Sequence, residues 1–326
     1  MSVPLVNTHA EGGISLGPQG PVTTSRLRLL HATSIGSHAH RSLQAAVSGR
    51  VAAVFDRSLY LELNGRWCCM AAVQLGKGPV SISVQLPTSV GDLTVGEVVE
   101  VDEEGFTIKG HFRVAMAGAT LWTPTPVPEW SVKTLVRGLE ALDQSCLGCV
   151  PKVGLADLVW SSSLVRKRSP EARIAAPAVL QLKEWLHDAV RMKVSTPAPA
   201  ATVALVGLGP GLTPSGDDFL AGMLVALSLI KRSEIASRLY QAIQPFLTNG
   251  TNPVSCLHLA AAAQGVGSEM LHAALHTVLA GDCALLPKRV SAIVRVGQCS
   301  GWDGLAGAAT VFKLLPFVRG PVEERS

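Results

Sequence analysis

An α+β protein is predicted, with a β-rich barrel or sandwich followed by a mainly α-helical domain. Three features of the chain predict it: a change of hydrophobic period, a series of tight-turn signals, and a proline-rich break between the two textures. From about Ser42 to Leu121 the segments RVAAVF, SLYLEL, RWCCMAAV, PVSISVQL, GEVVEV and FTIKGHFRVAM alternate or run apolar, as strands do. Asn64-Gly65, Gly76-Lys77-Gly78 and Glu104-Gly105 separate them with residues that accept the backbone angles of turns. The stretch LWTPTPVPEW, Leu121 to Trp130, carries three prolines, which oppose both helix and inner strand and mark a semi-rigid connector. Beyond it the period becomes helical in SVKTLVRGLEAL, in PAVLQLKEWLHDAVRMKV and in the segments that continue to Leu315. The chain therefore divides into a flexible tail over residues 1–25, a β-rich domain over 26–125 and a mainly helical domain over 130–318.

A length of 326 residues suits two domains better than one. Charged residues make up only 16%, so partner chains are expected to cover part of the surface, in a hetero-oligomer or a homo-oligomer. A net charge of +4 is spread thinly apart from RKR at 166–168 and KR at 231–232, and aromatics are 5%, which disfavours nucleic-acid binding. The longest apolar run, Phe219 to Ile230, spans 12 residues, short of the roughly 20 that cross a bilayer, and is read as a core helix. Seven cysteines without a disulfide framework point to a reduced, cytoplasmic protein.

Two stretches echo each other. SGDDFLAG from Ser215 and SGWDGLAG from Ser300 agree at six of eight positions, 85 residues apart, pairing Asp218 with Asp303. In each, Ser followed three residues later by Asp has the form of a capping box, predicting helix starts at Ser215 and Ser300. Gly222 and Gly307 lie four residues beyond the acids, where a missing side chain lets two helix backbones approach. A third start is expected at Asn252-Pro253, with Thr251 before it and Ser255 in its first turn.

Three helix N-termini brought together would hold a small anion without Lys or Arg, and Gly207, Gly209 and Gly211 would let main-chain amides reach it. The residues assigned to that site are Gly209, Gly211, Thr213, Ser215, Thr251, Ser255, Gln298, Cys299 and Ser300, with Asp217, Asp218 and Asp303 as candidate catalytic acids. In this reading Asp218 and Asp303 order the helix starts, while Asp217 is the spare acid, a general acid or base. No cofactor is expected; Mg²⁺ bridging a phosphate is the alternative, although hard-cation sites show more clustered carboxylates. Caps and packing glycines are the ordinary explanation of any one such loop, and their recurrence favours a site.

Other signals are weaker. Cys146 and Cys149 form a single CxxC, read as a pair of helical core thiols rather than a zinc ribbon. His272 and His276 lack the Glu of a zinc-protease helix, and His38 and His40 stand alone, so packing or surface roles are expected. GLGPGL lacks the dinucleotide spacing. Cys299, just before a helix start, is a minor thiol candidate, and Lys77 a conceivable visitor to the site.

GLGPGLTPSGDDFLAGML, TNPVSCLHLAAAAQG and VGQCSGWDGLAG, in this order and spacing, resemble the AllH-like family, subunits of the three-component oxamate carbamoyltransferase of allantoin breakdown. The likeness covers about Ala204 to Leu315. It implies carbamoyl transfer between oxalurate and phosphate, giving oxamate and carbamoyl phosphate, with partner subunits. The family's first loop falls on Gly209 to Ser215 with Asp217 and Asp218, its middle motif on Thr251 and Ser255, and its last on Gly297 to Gly301. There the chain departs, with Gln298 where His is usual and Cys299 where a hydroxyl residue is usual. A non-catalytic assembly subunit and a metal-dependent amide or phosphate hydrolase are the competing readings.

Overall fold

The computed structural model describes residues 27–86, 92–160, 168–192, 196–293 and 296–318. The predicted tail over 1–25, and Arg166 and Lys167 of one basic spot, lie outside the described residues.

The first part of the chain is a barrel, not a sandwich. Its elements are β1 (Arg28–Gly36), α1 (Ser37–Gln44), β2 (Ser48–Phe55), β3 (Ser58–Leu63), β4 (Arg66–Ala72), β5 (Ser81–Val84), β6 (Val98–Asp102), β7 (Gly105–Ile108), β8 (Phe112–Ala115) and β9 (Thr120–Trp122). Eight strands close in the order β1–β5–β4–β3–β2–β6–β7–β8 and back to β1. β1 completes the ring by pairing antiparallel with β5 and parallel with β8, and its last residues pair with β9. Closure removes the exposed edges an open sheet would leave. In β3 the alternating burial of SLYLEL turns Leu59, Leu61 and Leu63 inward, against Val99, Phe106 and Phe112. Asn64 and Gly65, at φ 51° and 76°, make the two-residue hairpin turn between β3 and β4.

Three local expectations change. FTIKGHFRVAM is not one strand but the hairpin β7–β8, broken at Gly110 with φ 79°. Gly76-Lys77-Gly78 leads into β5 parallel to β4, so it belongs to a crossover rather than a hairpin. Ser42 does not begin a strand: it lies on α1, whose i, i+4 spacing buries His38, Ala39, Ser42 and Leu43.

Trp122 ends the last strand and Val132 begins the first helix of the second part, with neither helix nor strand in the proline-rich stretch between them. The helices there are α2 (Val132–Cys146), α3 (Asp157–Trp160), α4 (Pro170–Met192), α5 (Ser215–Leu229), α6 (Ser233–Gly250), α7 (Pro253–Ala263), α8 (Glu269–Ala280), α9 (Leu286–Ile293) and α10 (Ser300–Val318). α4 starts at Pro170, so Pro177, expected to open it, sits inside the helix. Cys146 is buried at the end of α2 while Cys149 is exposed beyond it, so the two are not paired core thiols.

α5 and α10 form the centre. Residues on every side of α5 are buried, from Phe219 and Leu220 to Leu227, as an apolar helix inside a bundle requires. The barrel meets the helices where Cys69 and Ala71 of β4, and Val80 just before β5, pack with Leu257 of α7. Lys77 and Glu269 add two bonds, the Glu269 N–H to the Lys77 carbonyl at 2.8 Å and the Lys77 N–H to Glu269 Oε2 at 3.1 Å.

Candidate functional site

The loop before α5 needs the glycines that the sequence places there, because Gly207, Gly209 and Gly211 have φ of 69°, 111° and 95°. α5 does begin at Ser215, but the capping box does not form. Pro214 is the N-cap, and no side chain caps the helix. The Gly216 N–H donates instead to the Leu208 carbonyl at 2.9 Å. α10 begins at Ser300 in the same manner, with the Gly301 N–H donating to the Val296 carbonyl at 3.2 Å. These two amides are therefore already occupied and cannot serve a ligand as expected.

What the Ser and Asp of each stretch do is to reach across to the other helix. The Ser300 hydroxyl lies against the Asp218 carboxylate, and the Ser215 hydroxyl against that of Asp303. Thr213 Oγ1 and Ser300 Oγ are 2.8 Å apart, and Ser215 Oγ and Cys299 Sγ 3.5 Å. The backbones cross just beyond. A Cβ on Gly222 would overlap the Gly304 carbonyl, and one on Gly307 would overlap that of Phe219. The 85-residue offset carries Phe219 onto Gly304 and Gly222 onto Gly307, so the two contacts are one contact made twice. α5 and α10 are thus an exchanged pair about a pseudo-twofold axis. A reciprocal contact of this kind explains the recurrence of the motif better than two independent caps.

The pair is not symmetric in what its acids meet. Asp303 is fully buried, and its Oδ1 accepts the Leu155 N–H at 2.6 Å, with the Ala156 N–H also against the carboxylate. Gly154, at φ 81°, makes this approach possible, since a Cβ there would lie 2.5 Å from Oδ1. Burial raises the Asp303 carboxyl to about 6, against the pull of those N–H donors. Asp218 is half-buried and lines a cavity. The hydroxyls of Ser300 and Thr213 lie against it, but among the described residues no main-chain N–H does, and its Oδ2, like that of Asp303, has no hydrogen-bond partner. Burial, followed by the nearby Asp303 and Asp217, holds its carboxyl well above the ordinary range.

Asp217 is the reverse of the spare acid it was expected to be. It is 1% exposed; Oδ1 accepts the Gly207 N–H at 2.9 Å, and Oδ2 accepts the hydroxyls of Thr251 and Ser255, the latter at 2.6 Å. Asn252 caps α7 as predicted, accepting the Ser255 N–H at 3.1 Å. Asp217 therefore ties the starts of α5 and α7 together. The α7 start is bound to α5 by this clamp rather than opened to the cavity.

The cavity holds about 520 Å³ where the barrel meets the helices. Of the residues assigned from sequence, Gly211, Thr213, Asp218, Gln298, Cys299 and Ser300 line it. Gly209, Ser215, Asp217, Thr251, Ser255 and Asp303 stand outside its lining. Gly209 packs against Ser215, and the others form the bonds just described. Phe55, Ser58 and Tyr60 from the β2–β3 hairpin, and His258 from α7, also line it. Sequence reasoning missed these four; only the alternating exposure of a hairpin end hinted at the first three. Lys77 is not among the lining residues, and neither is any other lysine or arginine among those described.

One further expectation changes with the electrostatics. Cys299 is not an activated thiol: burial, then Asp303, raises it to about 12, overriding the helix start beside it. His258 is held neutral, lowered to about 4 by burial and by His38. Among the described residues no three His, Cys, Asp or Glu side chains converge, and both carboxylate oxygens of Asp217 are already bonded. No helix among the described residues is long and apolar enough to cross a membrane.

A closed barrel joined to a helical region built on two crossing, acid-bearing helices defines a two-part protein with its cavity at the junction. Residues 205–312 match the family model described as oxamate carbamoyltransferase subunit AllH, and residues 31–121 match the AllH family N-terminal domain. The chain belongs to the AllH family. The second match extends the likeness to the barrel, which the motifs alone did not reach. No solved structure matches the chain.

Proposed function

We propose that this chain is the substrate-holding subunit of a cytoplasmic carbamoyl-transfer enzyme of allantoin breakdown, assembled with partner subunits, that interconverts oxalurate and phosphate with oxamate and carbamoyl phosphate. The family match supplies the enzyme class. The observation that carries the placement is Asp218, an acid with an unpartnered oxygen in the wall of a junction cavity. In the reaction a phosphate oxygen adds to the ureido carbon of oxalurate and the bond from that carbon to the oxalyl nitrogen breaks. The departing nitrogen takes a proton and leaves as oxamate. Asp218, which holds its proton more firmly than an ordinary carboxyl, is placed to give it. The Gln298 amide lines the same wall and supplies a donor to the oxygen that gains charge, while the hydroxyls of Thr213 and Ser300 hold the Asp218 carboxyl. Asp217 and Asp303 act by position, holding α7 and the Leu155 loop.

Isothermal titration with oxamate and with carbamoyl phosphate, on the chain alone and with its partner subunits, tests the placement. Heat with either ligand is expected; heat with neither contradicts it. In the assembly-subunit reading, which the low charge favours, the glycine-rich helices would meet another chain; Gly222 and Gly307 pack instead on α10 and α5. Asp218→Asn separates the two readings better than a change at Asp217, which would loosen the α5–α7 clamp. Lost turnover with the complex intact favours chemistry, and unchanged turnover favours assembly.

A further inference from the structure

The pseudo-twofold pair contains an occupied copy of the site. Asp303 and Asp218 hold equivalent positions on α10 and α5, each touched by the serine that opens the other helix. On the Asp303 side the chain itself fills the space: the backbone of Gly154, Leu155 and Ala156 presses in and directs two successive peptide N–H groups at the carboxylate. On the Asp218 side nothing in the chain does this. Oδ2 of each acid is unpartnered, but only Asp218 lines the cavity. A buried carboxylate oxygen without a donor is costly, and the main-chain N–H at Asp303 Oδ1 shows which chemistry suits an acid in this position.

Resting on the substrate-holding role proposed above, we infer that Asp218 is the specificity residue of the cavity, accepting N–H groups from the ligand as Asp303 accepts those of Leu155 and Ala156. The ligand enters with an amide or ureido edge toward Asp218, and its carboxylate or phosphate points away. This changes the expected character of the site. Asp217 and Asp303 stand beside Asp218, Tyr60 is near it, and none of the described lining residues is a lysine or arginine. A second anion placed against Asp218 would meet like charge without a counterion. An N–H donor would not.

Oxamate and oxalate have nearly the same shape and differ at one end, NH₂ against O⁻. Titration of the full chain, with and without partner subunits, should show wild-type protein preferring oxamate by roughly tenfold or more, the worth of a hydrogen bond to a charged acceptor. Asp218→Asn supplies a donor in place of the acceptor and should abolish or reverse the preference. Asp303→Asn, whose side chain faces the Leu155 loop, should leave it intact. Equal wild-type affinities, or a preference that survives in D218N, remove the role of Asp218 while the site stands. Heat with neither ligand overturns the site and this role together. The wild-type comparison decides even if a variant fails to fold.

Discussion

The starts of α5 and α10 carry nearly the same residues and end in different states. At α10 the acid is sealed under a loop of the chain's own backbone; at α5 it borders a cavity shared with the barrel. Sequence likeness between the two stretches reflects the crossing they make together, and the difference in their surroundings separates structure from chemistry. Asp303 shows such an acid supplied with main-chain N–H donors. Asp218 shows the same position left for something else to satisfy.

The crossing is the most sensitive point of the comparison. Valine at Gly222 or at Gly307 would drive a side chain into a backbone carbonyl of the opposite helix, and each should cost about 3 kcal/mol or more in a denaturant melt. Because the contacts are equivalent, the two losses should be similar; a large loss at one and none at the other would break the pseudo-symmetry. Asp217→Ala removes the acceptor of one N–H and two hydroxyls and should cost roughly 2–3 kcal/mol in the same melt. The two paired acids should then differ from each other. Asp303→Ala strands the Leu155 N–H, so exchange of that amide should speed up about tenfold or more, while Asp218→Ala leaves it unchanged.

The smallest effect is the pH response. The Asp303 carboxyl is raised in the folded state from 3.8 to about 6, so between those values the native protein holds the proton more tightly than the unfolded chain. Its contribution to stability is complete below 3.8 and is lost as pH rises through about 6. D303N should flatten this part of the stability curve. Asp218 is raised too, and ligand N–H groups favour its ionised form, so oxamate should bind more tightly as pH rises, releasing a proton. An anion held by protonated Asp218 would show the opposite slope.

Much of this was legible in the sequence, for reasons that lie in particular residues. The β3–β4 hairpin followed from Leu59, Leu61 and Leu63 alternating up to Asn64-Gly65, and the central α5 from an apolar run with no polar face. Gly222 and Gly307 announced a helix crossing because close backbone approach needs glycine at a defined face. β1 and α1 were hidden, since HATSIG and SHAHRSLQ owe their burial to partners distant in sequence, β5 and β8 for the strand. The same limit explains the exchanged roles of the acids. Local spacing suggests that Ser215 caps its own helix, and only the fold brings Ser300 to Asp218, Ser215 to Asp303, and Thr251 and Ser255 to Asp217. For the barrel's share of the cavity, Phe55, Ser58 and Tyr60, the only local signal was the alternating exposure of a hairpin end.

A crystal structure of the protein soaked with oxamate examines the open half of the pair most directly. Oxamate should lie in the junction cavity with its amide nitrogen in hydrogen-bond contact with Asp218, in the place that the Leu155 amide takes at Asp303. Oxamate bound with its carboxylate toward Asp218, or seated away from that cavity, would contradict it.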